Sequence, residues 1–88
     1  MAVRRIDVTV IGAHKQGGSA LTFVDSNEYD LNEENRDAYI EKHVQEAIRR
    51  FPDHQNLRVA RVSEEFFDEE EQEMSQRVIY YNGEWLEV

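Results

Sequence analysis

The sequence predicts a small α+β domain in which a mostly antiparallel sheet of four to five strands packs on one central helix. Three observations support this fold class: an alternating β-branched segment near the start, one amphipathic segment in the middle, and an Asn-Gly turn near the end. A chain of 88 residues, 40% of them hydrophobic, suits a single domain over 1–88 with a small core. The predicted element order is β-β-α-β-(α)-β-β, in which the bracketed helix is left open.

The first two strands are predicted to form a hairpin. Within segment 4–11, apolar Ile6, Val8 and Val10 alternate with polar residues, which is typical of a half-buried strand. Glycines in segment 12–19 indicate a turn, and segment 20–24 predicts the second strand. The turn nearly matches the phosphate-binding pattern G-x-x-x-x-G-K-[ST]. Because Gly18 stands where that pattern requires lysine, no nucleotide site is predicted.

The central helix is predicted over about residues 32–50. Asp30, or alternatively Asn32, is placed to cap its start. Pro52 disfavours helical geometry at the preceding residue and so predicts the end of the helix. The apolar face is formed by side chains at helical spacing, namely Ile40, Val44, Ala47, Ile48 and Phe51.

A third strand is predicted over residues 57–62, and the segment after it stays ambiguous. The alternation in 57–62 is imperfect, which indicates either a bulge or burial on both faces. Segment 63–75 contains no glycine or proline and is rich in glutamate. A short helix capped by Ser63 and an exposed loop are both consistent with this composition.

The C-terminal segment predicts a hairpin in which Asn82-Gly83 forms a type I′ turn between strands 77–81 and 84–88. In that register Tyr80 lies opposite Trp85, on the same face as Val78, whereas Ile79 and Leu86 share the other face. Two arrangements remain open. If the helix covers the Ile79 face, Tyr80 and Trp85 are exposed and form an interface; if it covers the opposite face, Trp85 belongs to the core.

Acidic residues are concentrated in two runs. The chain holds 19 Asp and Glu against 10 Lys and Arg, which gives a formal net charge of −9. Seven carboxylates and no basic residue lie in Glu64–Glu73, and six more carboxylates lie in Asp25–Asp37. Since like charges repel, such concentration lowers stability unless something is gained. The charge balance argues against direct binding to nucleic acid or an anionic membrane and favours a basic protein partner.

The predicted partner-binding residues come from three places. Three helix carboxylates are expected to line one face, although acids early in a helix also stabilise it. Phe66 and Phe67 lie within the acidic run. If their segment is extended, the two side chains face opposite ways, so that one is an exposed anchor for a partner. The alternative is that one fills the core and the other shields the hairpin. With the aromatic pair of the last hairpin, the predicted site comprises Glu34, Asp37, Glu41, Glu64, Glu65, Phe66, Phe67, Asp68, Glu69, Glu70, Glu71, Glu73, Tyr80 and Trp85.

No catalytic, cofactor or metal site is predicted. The chain has no cysteine, and His14, His43 and His54 lack metal-ligand spacing. Segment 25–30 resembles the start of a calcium loop, but Asp30 stands where glycine is needed. No serine lies in a nucleophile motif. No segment has the length of a membrane span or the form of a signal peptide, so a cytoplasmic location is expected, which is the host cytoplasm for a phage-encoded protein.

The sequence therefore predicts a non-enzymatic acidic module that binds a basic protein surface. In size, acidity and lack of cysteine, the chain resembles phage-encoded inhibitors of host defence such as anti-CRISPR and anti-restriction proteins. That resemblance implies charge mimicry that blocks a nucleic-acid-binding protein. The alternative is a structural or assembly subunit that self-associates, as a homodimer for example, through the C-terminal hairpin, with acidity serving only solubility.

Overall fold

The computed structural model describes residues 4–18 and 20–86 and confirms the α+β class. Five strands form one antiparallel sheet in the order β2-β1-β3-β4-β5, and one helix packs on it, mainly against β3 and β1. No helix among the described residues is both long and apolar enough to cross a membrane. The elements are β1 (Arg4–His14), β2 (Ala20–Tyr29), α1 (Arg36–Arg50), β3 (His54–Asp68), β4 (Glu73–Tyr81) and β5 (Glu84–Trp85).

The first hairpin is longer than predicted. Strand β1 continues to His14, and β2 continues through the polar segment 25–29, pairing Val8 with Asp25 and Arg4 with Tyr29. The segment that resembles a calcium loop is therefore mostly extended. Polar residues such as Asp and Asn are poor strand formers, but an edge strand tolerates them when the neighbouring strand supplies the pairing. The apolar face of β1 is fully buried, as its alternation predicts.

The helix begins four residues later than predicted. The N-cap residue is Asn35, so neither predicted residue caps the helix. Asn32 instead stabilises the turn before it, because its Oδ1 accepts hydrogen bonds from the backbone N–H of Glu34 at 2.9 Å and Asn35 at 3.0 Å. Asp30 does not cap; its backbone carbonyl accepts the Asn35 side-chain amide at 2.9 Å. The C-terminal end falls at Arg50, before Pro52, as predicted.

The buried stripe of α1 is rotated from the predicted one. Tyr39, His43 and Ala47 are the buried residues of the helix, whereas Ile48 is 47% exposed, so its assignment to the packed apolar face was wrong. The two aromatic residues are buried because their polar tips find partners. The Tyr39 hydroxyl donates to Asn27 Oδ1 at 2.7 Å, and His43 Nδ1 lies 2.9 Å from the Tyr39 carbonyl oxygen. Burial raises the pKa of Tyr39 to about 12.

A bulge in β3 explains its imperfect alternation. The pairing with β1 shifts between Thr9 and Val10, which leaves Ala60 as an extra residue. Val59 and Val62 are consequently both buried, although regular alternation would place residues three apart on opposite faces. The bulge alternative of the prediction is thereby confirmed.

Segment 63–75 is neither a helix nor a loop, so both predicted alternatives were wrong. Strand β3 runs on to Asp68, a four-residue turn follows, and β4 begins at Glu73. The Asp68 carboxylate closes the turn by accepting the backbone N–H of Glu70 at 3.0 Å and of Glu71 at 3.3 Å. Gln72 adopts a left-handed φ of 54°. An Asx-type turn therefore reverses the chain without glycine or proline, and cross-strand pairing overrides local helix propensity.

The C-terminal hairpin has the predicted turn and register. Asn82 and Gly83 have φ of 50° and 90°, and Tyr80 pairs with Trp85. A one-residue shift in the β3–β4 pairing leaves Ile79 as an extra residue, and both Ile79 and Tyr80 pack against the core. Strand β5 covers only Glu84–Trp85, and Leu86, which was predicted to continue it, lies outside the strand. Residues 87–88 of the predicted strand lie outside the described residues.

Candidate functional site

The acidic run lies at the turn of the β3–β4 hairpin. We call residues 67–74 the acidic tip. Its ladder pairs Phe67 with Met74 and Asp68 with Glu73, and the turn 69–72 closes it. The molecule measures 48 × 27 × 20 Å, so it is elongated. The carboxylates of the acidic tip are Asp68, Glu69, Glu70, Glu71 and Glu73, of which Asp68 is half-buried and the others are exposed.

An exposed apolar pair forms the base of the acidic tip. Phe67 is 54% exposed and Met74 is 58% exposed. Because the two residues are directly opposite in an antiparallel ladder, their side chains share one face of the sheet. Alternation from Val62 places that face opposite α1, and we call it the outer face. Near the middle of the sheet the outer face carries a polar cluster, in which Ser26 and Gln76 both donate to the Asp7 carboxylate, at 2.6 and 2.9 Å.

Phe66 points the other way from Phe67, as strand geometry requires. The guanidinium carbon of Arg77 lies 5.2 Å from the centre of the Phe66 ring, which covers that ring on the helix side of the sheet. The exposed phenylalanine of the predicted pair is therefore Phe67. Met74 was missed by the sequence analysis, because its place beside Phe67 becomes visible only once the hairpin register is known.

Glu64 belongs to the interior and not to the acidic surface. Its side chain is only 1% exposed, and its two oxygens are held by Arg4 and by Arg77, whose Nε donates at 2.6 Å. Glu64 was predicted to contact a partner, but as a buried residue it does not contribute to the acidic surface. The sequence could not show this, because both arginines lie far from it along the chain. Glu65 is half-buried on the outer face, where Arg5 Nε lies 3.8 Å from its carboxylate.

The predicted helix carboxylates do not form one uniform stripe. Glu34 is exposed but precedes the helix, and Asp37 accepts the Trp85 indole N–H at 3.0 Å. Glu41 is exposed and accepts a hydrogen bond from Gln45 at 2.9 Å. Arg36 and Arg77 line a cleft between the start of the helix and the hairpin, so positive charge interrupts any continuous negative face.

Tyr80 and Trp85 pack on the helix side of the sheet. Their rings lie 4.8 Å apart, and the Arg36 guanidinium lies 5.2 Å from the centre of the Trp85 ring. With the indole bonded to Asp37, Trp85 is a half-buried residue of the core margin. Of the two open arrangements, the structure thus has the one in which the helix covers the Trp85 side.

The three histidines form two local contacts. His43 Nε2 lies 3.5 Å from Asp25, while His14 and His54 pair across β1 and β3 with ring centres 5.2 Å apart. Over 4–18 and 20–86, no group of three or more His, Cys, Asp or Glu residues is arranged to hold a metal ion. The two contacts therefore fall short of the three or four protein ligands of a typical zinc site.

Comparisons with protein-family models, with curated proteins and with solved structures find no match to this chain. The surface chemistry of the chain itself is therefore the basis for inferring a function. On that basis the most distinctive surface is a hairpin tip that combines five carboxylates with two exposed apolar side chains.

Proposed function

We propose that this protein is a non-enzymatic interaction module that docks its acidic tip on a basic surface of a protein partner. The observation that carries the proposal is the exposed Phe67–Met74 pair at the base of the carboxylate cluster. Aromatic residues and methionine are enriched at protein interfaces, and charged residues commonly form the rim around such apolar centres. The acidic tip has both parts of that arrangement.

The charge pattern of the acidic tip opposes hairpin stability. Asp68 stands directly opposite Glu73, and like charges in that position destabilise an antiparallel pair. A hairpin selected only for stability would place opposite charges there. A role in recognition supplies a reason, because concentrated negative charge steers a basic partner to the site and raises the association rate.

Binding divides into two physical contributions. The carboxylates guide the encounter and set its dependence on salt, whereas Phe67 and Met74 bury apolar surface in the final complex. Complete burial of such a side chain is worth about 1.5–3 kcal/mol relative to exposure. Because both side chains are already partly covered by the fold, a value at or below the lower end is expected for each.

The sharper form of the proposal is inhibition by charge mimicry. The acidic tip enters a basic groove that otherwise binds a phosphate backbone, as expected for an inhibitor of the phage anti-CRISPR or anti-restriction type acting in the cytoplasm. Mimicry is then confined to the hairpin, since the arginines of the neighbouring cleft separate it from the helix carboxylates. This form requires that nucleic acid and the protein compete for the same partner.

Variants of the acidic tip test the proposal. A partner recovered from the native host is purified and titrated with the native chain and with the triple variant Glu69→Gln, Glu70→Gln, Glu71→Gln. A matched control neutralises three exposed carboxylates elsewhere, through Glu28→Gln, Asp53→Asn and Glu84→Gln. We expect the tip variant to lose affinity at least about tenfold and the control to stay within about twofold. Equal affinities of the two variants contradict the proposal.

Self-association through the C-terminal hairpin is the alternative. Among the described residues of the segment from 77 to 86, Tyr81 at 59% and Leu86 at 42% exposure are the large apolar side chains that reach solvent. Sedimentation at micromolar concentration separates the two functions. The interaction-module proposal expects a monomer, whereas a dimer that is disrupted by Tyr81→Ser favours the assembly subunit.

A further inference from the structure

A cleft of about 320 Å³ lies on the helix side of the molecule, apart from the acidic tip. Its walls come from the starts of β1 and α1, from β3 and β4, and from the end of β5, so it is assembled from distant parts of the chain. Small-molecule sites commonly have volumes of roughly 300–1,000 Å³ and combine apolar walls with a few polar groups. The cleft is at the small end of that range.

The cleft concentrates positive charge in a strongly acidic protein. Three of the ten Lys and Arg residues, Arg4, Arg36 and Arg77, line it together with two carboxylates, the buried Glu64 and the exposed Glu33. Glu64 neutralises one of the two arginines that hold it. Arg36 forms no ion pair with any described residue. Three guanidinium groups against the two carboxylates of Glu33 and Glu64 leave the polar wall with an excess of one positive charge. A guanidinium binds carboxylate and phosphate through two parallel N–H donors.

The position of Arg36 is not explained by helix stability. It is the first residue of α1, where the helix dipole favours anions and disfavours cations. Its guanidinium is held over the Trp85 ring, with 5.2 Å from its carbon to the ring centre. Stacking of this kind orders the guanidinium while leaving its edge N–H groups available to an acceptor.

A second observation concerns Arg4. Its Nε is buried and has no hydrogen-bond partner among the described residues, whereas its other nitrogens bond Glu64 and the Leu31 carbonyl oxygen. Buried donors are almost always paired, so an unpaired guanidinium N–H beside a cleft indicates that the arginine cluster is not saturated by the protein's own acceptors. Because this N–H is buried, an external anion would meet the cleft through Arg36, which forms no ion pair with a described residue.

The remaining wall of the cleft is apolar. It includes Leu31 and Ile79, which are 6% and 7% exposed, and the half-buried Trp85. An inorganic anion would contact only the arginines and gain nothing from this surface. An organic anion would use both parts of the cleft, because its apolar body would cover the wall while its charged end meets the guanidinium groups.

We propose that this cleft binds a small organic anion, with a carboxylate or phosphate at Arg36 and an aromatic or aliphatic body against Trp85 and Ile79. The site is independent of the acidic tip and of any partner bound there. The guanidinium recognises carboxylate and phosphate by the same chemistry. A comparison of phenylacetate with phenyl phosphate separates the two.

The chain has one tryptophan, so the Trp85 indole N–H gives a single nuclear magnetic resonance signal that reports on the cleft. The probes are phenyl phosphate, phenylacetate, inorganic phosphate and neutral benzyl alcohol. We expect one or both aryl anions to shift this signal saturably, with an affinity at least about tenfold above that of inorganic phosphate and of benzyl alcohol. Tighter binding of phenyl phosphate would identify phosphate as the charged group that the cleft prefers, and tighter binding of phenylacetate would identify carboxylate.

The matched variants are Arg36→Gln and Arg49→Gln, which remove the same charge from the start and the end of α1. Arg36→Gln is expected to weaken aryl-anion binding about tenfold and Arg49→Gln to leave it unchanged. Dispersed amide signals in both variants show that the fold is kept. The proposal is overturned if neither aryl anion shifts the indole signal, if inorganic phosphate binds as tightly, or if the two variants bind equally.

Discussion

At the scale of single residues, Glu64 shows how burial changes the meaning of a charged side chain. It lies in an acidic run, yet two arginines enclose it and almost none of it reaches solvent. Removing one partner of a buried ion pair leaves uncompensated charge, which costs about 3–5 kcal/mol when both partners are buried. Here the arginine side chains are 33% and 43% exposed and can rehydrate, so the cost is expected to be smaller.

We therefore predict that Glu64→Gln lowers the free energy of unfolding by about 2 kcal/mol. The neighbouring Glu65→Gln is the matched control, because its carboxylate is half-buried and lies 3.8 Å from Arg5. It should cost less than about 1 kcal/mol. Urea unfolding of both variants gives the comparison, and equal losses would show that Glu64 is not the buried centre of this network.

Tyr39 makes a second prediction at this scale, concerning alkaline stability. Burial raises its pKa to about 12 from 10.0. Between these values the unfolded chain releases the phenolic proton while the folded chain keeps it, so stability falls by about 1.4 kcal/mol per pH unit from this residue. Below pH 10 the contribution is constant.

Unfolding measured across this alkaline range should show a shallower loss of stability for Tyr39→Phe than for the native chain. The exposed Tyr81→Phe is the control and should keep the native slope. Parallel slopes for Tyr39→Phe and the native chain would contradict the assignment of a raised pKa to Tyr39.

At the scale of elements, the exposed apolar residues of the acidic tip should contribute strongly to partner binding and little to the free energy of unfolding. Phe67 and Met74 are more than half exposed, so Phe67→Ser with Met74→Ser should change the free energy of unfolding by no more than about 1 kcal/mol in total. The same double variant should weaken partner binding at least about tenfold. Urea unfolding and calorimetric titration measure the two effects, and a variant that binds normally would remove the apolar pair from the interface.

Local signals explain which elements the sequence could predict. Alternation of Ile6, Val8 and Val10 defines β1. Asn82-Gly83 defines the turn between β4 and β5, because that turn needs positive φ at both positions. The β3–β4 hairpin lacked such signals. Its reversal depends on the Asp68 side chain and on pairing with a strand whose register appears only in the folded sheet. A glutamate-rich segment without glycine or proline is as compatible with a helix when it is considered alone.

The same limit applied to the Trp85 side of the last hairpin. Regular alternation places Ile79 and Tyr80 on opposite faces, so the sequence left two arrangements open. The single extra residue at Ile79 lets both pack against the core. The sequence could not predict the arginine cleft either, because Arg4, Arg36 and Arg77 come from three separate elements that meet only in the folded chain.

At the scale of the whole molecule, charge is distributed more unevenly than the net value of −9 indicates. Carboxylates gather at the end of one hairpin, and arginines gather in a cleft at the start of the helix. The first arrangement suits a basic macromolecule, and the second suits a small anion. Because the two surfaces are distinct, variants of one should leave binding at the other unchanged.

The salt dependence of partner affinity tests the central claim most directly. The dissociation constant of the purified partner is measured by calorimetry from low to high ionic strength, for the native chain and for the Glu69→Gln, Glu70→Gln, Glu71→Gln variant. If the acidic tip steers and docks the partner, the native affinity falls steeply with salt and the variant is weaker with a shallower dependence. Native affinity that is insensitive to salt, or a variant that follows the native curve, would contradict the claim.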